Sequence, residues 1–219
     1  MDRTILEREL SAAVAERRLI GHPFYRRWDR GELRPEEVRA YAAQYRHLEA
    51  ALPGLLRSVA AGMDDGPARE AVLRTLADEV GPPVAHLELF ETFARAVGAG
   101  NAEPSPATAS LLAVQRRHTS AAPATGLAAL AAYELQSSEV ARTKAEGLRR
   151  HHGLDSAATR FWDVHADVDV EHAEWALEAL ASTAGAAQPV GVAAREVAEA
   201  WWAFLDERDA TASQVGPVG

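Results

Sequence analysis

Cysteine is absent from the 219-residue chain. That excludes disulfides, thiolate metal ligands, iron–sulfur clusters and cysteine nucleophiles together. Lysine is nearly absent: Lys144 stands alone against 22 arginines. No apolar run reaches 18 residues, so no membrane-spanning helix is expected. The opening Met1-Asp2-Arg3-Thr4 has no basic stretch leading into an apolar one, so no signal peptide is expected either. Positive charge is in deficit. A net charge of -9 argues against nucleic acid as the main partner, because phosphate binding needs a basic surface. No alternating strand pattern and no repeat of 20–50 residues is visible. A cytoplasmic location is the default expectation.

What is present points to helices. Apolar residues make up 47% of the chain, and alanine, the strongest helix former, is abundant. Apolar spacing at three and four predicts helices over 3–19, 22–31, 35–61, 68–80, from the Gly81-Pro82-Pro83 break to Val97, 107–118, 122–151, 155–181 and 189–207. Pro35 with Glu36 and Glu37 is a helix start, and Pro53 is expected to kink that helix. The expectation is an all-α single domain of seven to nine helices over residues 1–207. Residues 208–219, small and polar toward the end, are expected to fray as a disordered tail. So much apolar helix surface suits a homodimer.

Two unusual features lie inside these helices. In the segment 155–181, His165, Asp169 and His172 follow at i, i+4 and i+7, so one stripe carries two imidazoles and a carboxylate. That donor set suits iron, manganese or zinc. Glu134 interrupts an apolar stretch, Leu127 to Ala132, and must find a cation, a metal or water there. A third cluster is Glu79 with His86, although Gly81-Pro82-Pro83 between them breaks the helical geometry that would pair them. Each has an ordinary alternative: a surface acid for Glu79, a core imidazole for His86, an arginine partner for Glu134. Together the candidates amount to three carboxylates and three imidazoles, the inventory of a dinuclear iron or manganese site in a helical bundle. The ferritin-like Glu-x-x-His signature does not occur anywhere in the chain. Lys144 raises a separate question. Lysine can lose its proton and act as an amine, which arginine cannot; equally, one lysine can persist by chance.

The order Glu79-x6-His86, Tyr133-Glu134-x-Gln136, then His165-x3-Asp169-x2-His172, resembles the haem-oxygenase-like dimetal oxidases. The opening His22-Pro23-Phe24-Tyr25, with Tyr41 and Tyr45, resembles the same superfamily, whose helical bundle is shared with TenA thiaminases and pyrroloquinoline quinone synthases (the TenA/PqqC-like fold). Within it the chain is most similar to the chlamydial proteins associating with death domains and their bacterial relatives, which act as self-sacrificing para-aminobenzoate synthases. The resemblance runs from about His22 to Trp175. It implies two divalent metals, iron with possible manganese, held by Glu79, His86, Glu134, His165, Asp169 and His172. As our own expectation, not one the resemblance carries, Glu79, His86 and His172 hold one metal, with Glu134, His165 and Asp169 supplying or bridging the second. The resemblance further implies that dioxygen and an external reductant take part, that Tyr25 is consumed, that Tyr41 and Tyr133 relay or position the radical, and that Lys144 gives nitrogen. Tyr133 and Lys144 are eleven residues apart, about three turns, and so share a helix face.

Rivals remain. The same ligands would serve a catalytic diiron oxygenase or oxidase acting on an external amino acid or fatty acid. A cofactor-free quinone-forming relative would leave six candidate ligands idle. A thiaminase lacks its cysteine here. A haem oxygenase would need a proximal histidine, for which His22 is available. An interaction module would keep its function after His165→Ala.

Overall fold

The computed structural model describes residues 2–183 and 187–214. Among them the elements are α1 (Arg3–Ala15), a 3₁₀ turn (Leu19–Gly21), α2 (Pro23–Arg30), α3 (Pro35–Ala61), α4 (Pro67–Val80), α5 (His86–Ala96), α6 (Pro106–Ala121), α7 (Pro123–His152), α8 (Ser156–Ser182) and α9 (Ala187–Gln214). No strand occurs among the described residues, as expected. None of their helices is long and apolar enough to cross a membrane.

Five α-helices open with proline in the first turn, where the missing N–H costs no hydrogen bond. α2 ends on Gly31, whose φ of 70° turns the chain toward α3. Glu37 closes the start of α3 by accepting from the Arg34 backbone N–H. α3 continues through Pro53 rather than ending there.

α7 is the central helix, and its most extensive interface is with α8. Its buried face is built from Ala128, Ala129, Ala131, Ala132, Ala141 and Ala145, small enough for neighbours to approach closely. Ser138 adds a fixed point by donating to the Ala166 carbonyl of α8 at 2.6 Å.

Three boundaries differ from the sequence expectation. α1 stops at Ala15 and hands over to the 3₁₀ turn, so the first predicted helix is shorter. The break after α4 extends to Ala85, and α5 starts at His86 itself. The last helix does not stop at Glu207 but runs on to Gln214. Arg208 and Asp209 anchor the extension: Arg208 donates to Ser105 Oγ and Asp209 accepts from Arg27. The expected tail is thus helical over 208–214, and its residues 215–219 lie outside the described ones.

Candidate metal centre

α8 turns His165, Asp169 and His172 inward, all buried, while Asp167, Glu171 and Glu174 on its other faces are exposed. Glu134 faces them from α7. Glu79 comes from the last turn of α4, and His86 is the first residue of α5. The Gly81–Ala85 connection folds these two back on each other, bringing His86 Nδ1 to 3.0 Å from Glu79 Oε2. Two triads result, each with donor atoms within 4.8 Å of one another: Glu79, His86 and His165, and Glu134, Asp169 and His172. The two α8 histidines thus trade places relative to the partition expected from the sequence. Seven residues separate them, about 10 Å along the axis, so they serve different ends of the site. Glu79 stands between the triads, its other oxygen 3.9 Å from His172 Nδ1.

These residues fit divalent metals by their unmet bonding. Glu134 Oε2 and His172 Nδ1 are buried and have no hydrogen-bond partner, and buried His86 Nδ1 has only the Glu79 carboxylate beside it. Such atoms are costly to leave bare in an interior. His165 Nδ1 faces the Phe161 carbonyl at 2.9 Å, so it carries the proton and leaves Nε2 free for a metal. His172 Nε2 similarly meets Asp78 Oδ2 at 3.3 Å and leaves Nδ1 inward. Metal-binding imidazoles are commonly oriented in this way, with the far nitrogen held by a carboxylate or carbonyl. Imidazole and carboxylate without thiolate suit iron, manganese or zinc.

The enclosed charges disturb one another. Glu134 is pushed well above the usual carboxylate range by burial, then by Asp169 and Glu79, with His172 opposing. Burial pulls His172 down, but the nearby Asp169 carboxylate, 3.6 Å from its Nδ1, and the charges of Glu134 and Glu79 outweigh that and raise it to about 9.

Tyr45 and Tyr133 line the site, and the four tyrosines of the chain form two hydroxyl pairs. Tyr25 meets Tyr41 at 3.0 Å and Tyr45 meets Tyr133 at 2.9 Å. The Tyr41 and Tyr45 rings stack at 5.5 Å and join the pairs. His22 sets Tyr25 in place by capping α2: its Nδ1 accepts from the Phe24 N–H at 3.0 Å, and its Nε2 meets Asp206 at 3.1 Å. With both nitrogens so engaged, His22 does not present itself as a haem ligand. Burial raises all four phenols above their ordinary value.

Lys144 is wholly buried and its Nζ has no hydrogen-bond partner. It sits in an aromatic box, 4.0 Å from the ring centre of Trp162, 4.6 Å from Tyr45, 5.1 Å from Tyr25 and 5.2 Å from Tyr41. Burial drives it well below the ordinary lysine value, against the pull of Asp169 and Glu49. The backbone of Lys144 is held by Trp28, whose Nε1 donates to its carbonyl at 3.2 Å. Gly147 makes room for that ring: a Cβ there would come within 2.6 Å of it.

A cavity of about 40 Å³ opens between the triads and the tyrosines. Tyr45, Glu49, Glu79, Tyr133, Glu134, His165 and Asp169 line it, together with Trp201, which stacks on Tyr133 at 4.4 Å. Sequence reasoning placed neither Glu49 nor Asp78 in the site, and named Tyr45 only within the opening segment. A signal existed for the α3 pair. Tyr41, Tyr45 and Glu49 follow at i, i+4 and i+8, and Glu49 breaks an apolar stripe as Glu134 does.

Comparison with known proteins adds four findings. The family model for iron-containing redox enzymes of the haem-oxygenase-like type matches residues 39–209. A 4-aminobenzoate synthase of Nitrosomonas europaea is 34% identical over 219 aligned positions, covering 91% of this chain and 89% of that protein. A 4-aminobenzoate synthase of Chlamydia pneumoniae is 31% identical over 204, covering 90% and 91%. Among solved structures, a TenA homologue of Pseudomonas syringae superposes with a TM-score of 0.80 at 14% identity, over 94% of this chain and 93% of its own. At that identity the likeness shows the fold, which is TenA-like.

Proposed function

The chain belongs to the haem-oxygenase-like family of iron-containing redox enzymes and is an oxidoreductase; from that premise we propose that it makes 4-aminobenzoate (para-aminobenzoate) out of its own Tyr25 side chain, with nitrogen from Lys144. The product class follows the similar proteins named 4-aminobenzoate synthase. The observation that carries the self-consuming reading is the size of the interior. The cavity at the triads, about 40 Å³, has room for a water or two. Small-molecule sites usually offer about 300 Å³ or more. An external amino acid or fatty acid does not fit there, whereas two phenols, Tyr45 and Tyr133, already line it, and Tyr41, Tyr25 and Lys144 pack behind them. A larger groove of about 450 Å³ lies outside, along Asp78, Pro82, His86 and Arg160, and none of the tyrosines nor Lys144 lines it.

In this reading Glu79, His86 and His165 hold one metal and Glu134, Asp169 and His172 the other. When bound and reduced, the pair supplies dioxygen activation and electron uptake, for which iron and manganese are suited and redox-inert zinc is not. The protein does the rest. Tyr45 and Tyr133 face the cavity and receive the oxidising demand first. Tyr41, stacked on Tyr45, passes it to its hydroxyl partner Tyr25. High phenol pKa values keep the side chains protonated, so each electron must leave with a proton. The paired hydroxyls give that proton an adjacent oxygen. Burial keeps Lys144 as a neutral amine, the nucleophilic form. Trp28 fixes its backbone, and the aromatic box excludes water. A chain that consumes Tyr25 turns over once.

Isotope labelling tests this. Protein grown with ring-¹³C₆ tyrosine is loaded with Fe(II) and Mn(II), then given reductant and oxygen in unlabelled buffer. The expected product is 4-aminobenzoate with six heavy ring carbons. Unlabelled product, or many turnovers on an added substrate, would establish the external-substrate oxygenase instead.

A further inference from the structure

Helix α3 sends one more charged group into the site. Glu49 lies one turn beyond Tyr45 and lines the same cavity as Glu79, Glu134, His165 and Asp169. It is 5% exposed, and among the described residues it makes no hydrogen bond or ion pair. The buried carboxylate that lies away from this cavity is treated differently: Glu37 is held by both Arg27 and Arg34. Among the described residues no arginine pairs with Glu49, and Lys144, whose charge reaches it, makes no ion pair with it and is driven by burial toward the neutral amine. A carboxylate removed from water and left without a cation is unfavourable. A second buried oxygen in the same wall, Gln115 Oε1, is also unpartnered.

Charge balance points the same way. Glu79, Glu134 and Asp169 alone would leave two divalent ions with one unneutralised positive charge in a closed interior. Glu49 brings the count to four negative against four positive. Building on the dimetal reading, we propose that Glu49 is a seventh donor to the metal centre, a carboxylate that enters from α3 on the side facing Tyr45 and Tyr133. Bound there, it would hold the Tyr41–Tyr45 stripe at a set distance from the metals, because all three residues ride on one helix. It would thereby link occupancy of the metal site to the position of the tyrosines.

The test uses Mn(II) alone, without oxygen, and reads binding rather than turnover. Equilibrium dialysis and calorimetry on the full chain compare wild type, Glu49→Gln and Glu49→Asp. Wild type is expected to take two Mn(II) per chain. Glu49→Gln should lose about tenfold or more in affinity for at least one of them, at the low end of what loss of a supporting group costs. It should also melt higher than wild type without metal, since a repelled charge is gone, and gain less on adding Mn(II). Glu49→Asp keeps the charge on a shorter arm and should fall between the two, which also covers the case of a glutamine variant that fails to fold. Wild-type affinity and an unchanged metal-induced rise in the variants would overturn the role of Glu49 while leaving the dimetal reading intact. Fewer than two Mn(II) in wild type would overturn both.

Discussion

Replacing Lys144 with methionine should stabilise the protein while abolishing product. The amine is fully buried with no partner for Nζ, and a buried unsatisfied polar group costs about 1–3 kcal/mol. Methionine has a stem of similar length and no donor to satisfy, so most of that cost should be regained. For a chain of this size each kcal/mol moves the midpoint by about 2–4 °C, giving a rise of roughly 2–12 °C. Cation–π attraction, about 0.5–2 kcal/mol, would offset this only for a charged amine. Burial favours the neutral one. The pH dependence supplies the sign. The folded-state pKa lies well below the ordinary 10.5 of the unfolded chain. Between those values the unfolded chain holds a proton that the folded one has released, so wild-type stability rises with pH, by up to about 1.4 kcal/mol per unit. The variant lacks this contribution, and its advantage should shrink from pH 7 toward pH 10. Calorimetric melts of both proteins at matched pH, taken as differences, isolate the effect. A methionine variant that melts below wild type at pH 7, or a gap that does not move with pH, would refute the orphan-amine reasoning.

Three further outcomes follow from the site. Asp78→Asn keeps the shape of the group that meets His172 Nε2 at 3.3 Å but removes its charge; metal affinity measured by dialysis should fall about 10- to 100-fold with the fold intact. Gly147→Ala would drive a Cβ to 2.6 Å from the Trp28 ring; a loss of roughly 1–3 kcal/mol in urea unfolding is expected, with reduced product because the Lys144 backbone anchor shifts. His165→Ala leaves helical circular dichroism unchanged but prevents full metal loading and product formation, whereas unchanged loading would remove His165 from the Glu79 triad.

The sequence was informative where one helix sets the geometry. His165, Asp169 and His172 were readable as a stripe because the helical period alone fixes their relation, and α8 buries all three. The all-helical fold was readable for the same reason. Glu79 and His86 were not pairable from spacing, since the connection from Gly81 to Ala85 decides where α5 begins, and no local rule sets that turn. Which histidine joins which carboxylate depends on how α4, α5 and α7 pack around α8. The contact of Asp78 with His172 spans 94 residues and leaves no local trace. Glu49 did leave one, a carboxylate between Leu48 and Leu52 on an apolar stripe. The end of α9 escaped because Arg208 and Asp209 read as surface charges until their partners on α2 and near α6 are seen.

The central claim, that this oxidoreductase consumes its own tyrosine, is tested most directly by peptide mass spectrometry after one round of reaction. Metal-loaded protein is exposed to reductant and oxygen, and peptides spanning Tyr25 and Lys144 are compared with an anaerobic control while 4-aminobenzoate is quantified in the filtrate. The account predicts loss of the Tyr25 side-chain mass, a changed Lys144 peptide, and product not exceeding one per chain. Intact Tyr25 and Lys144 peptides alongside oxygen uptake would contradict it.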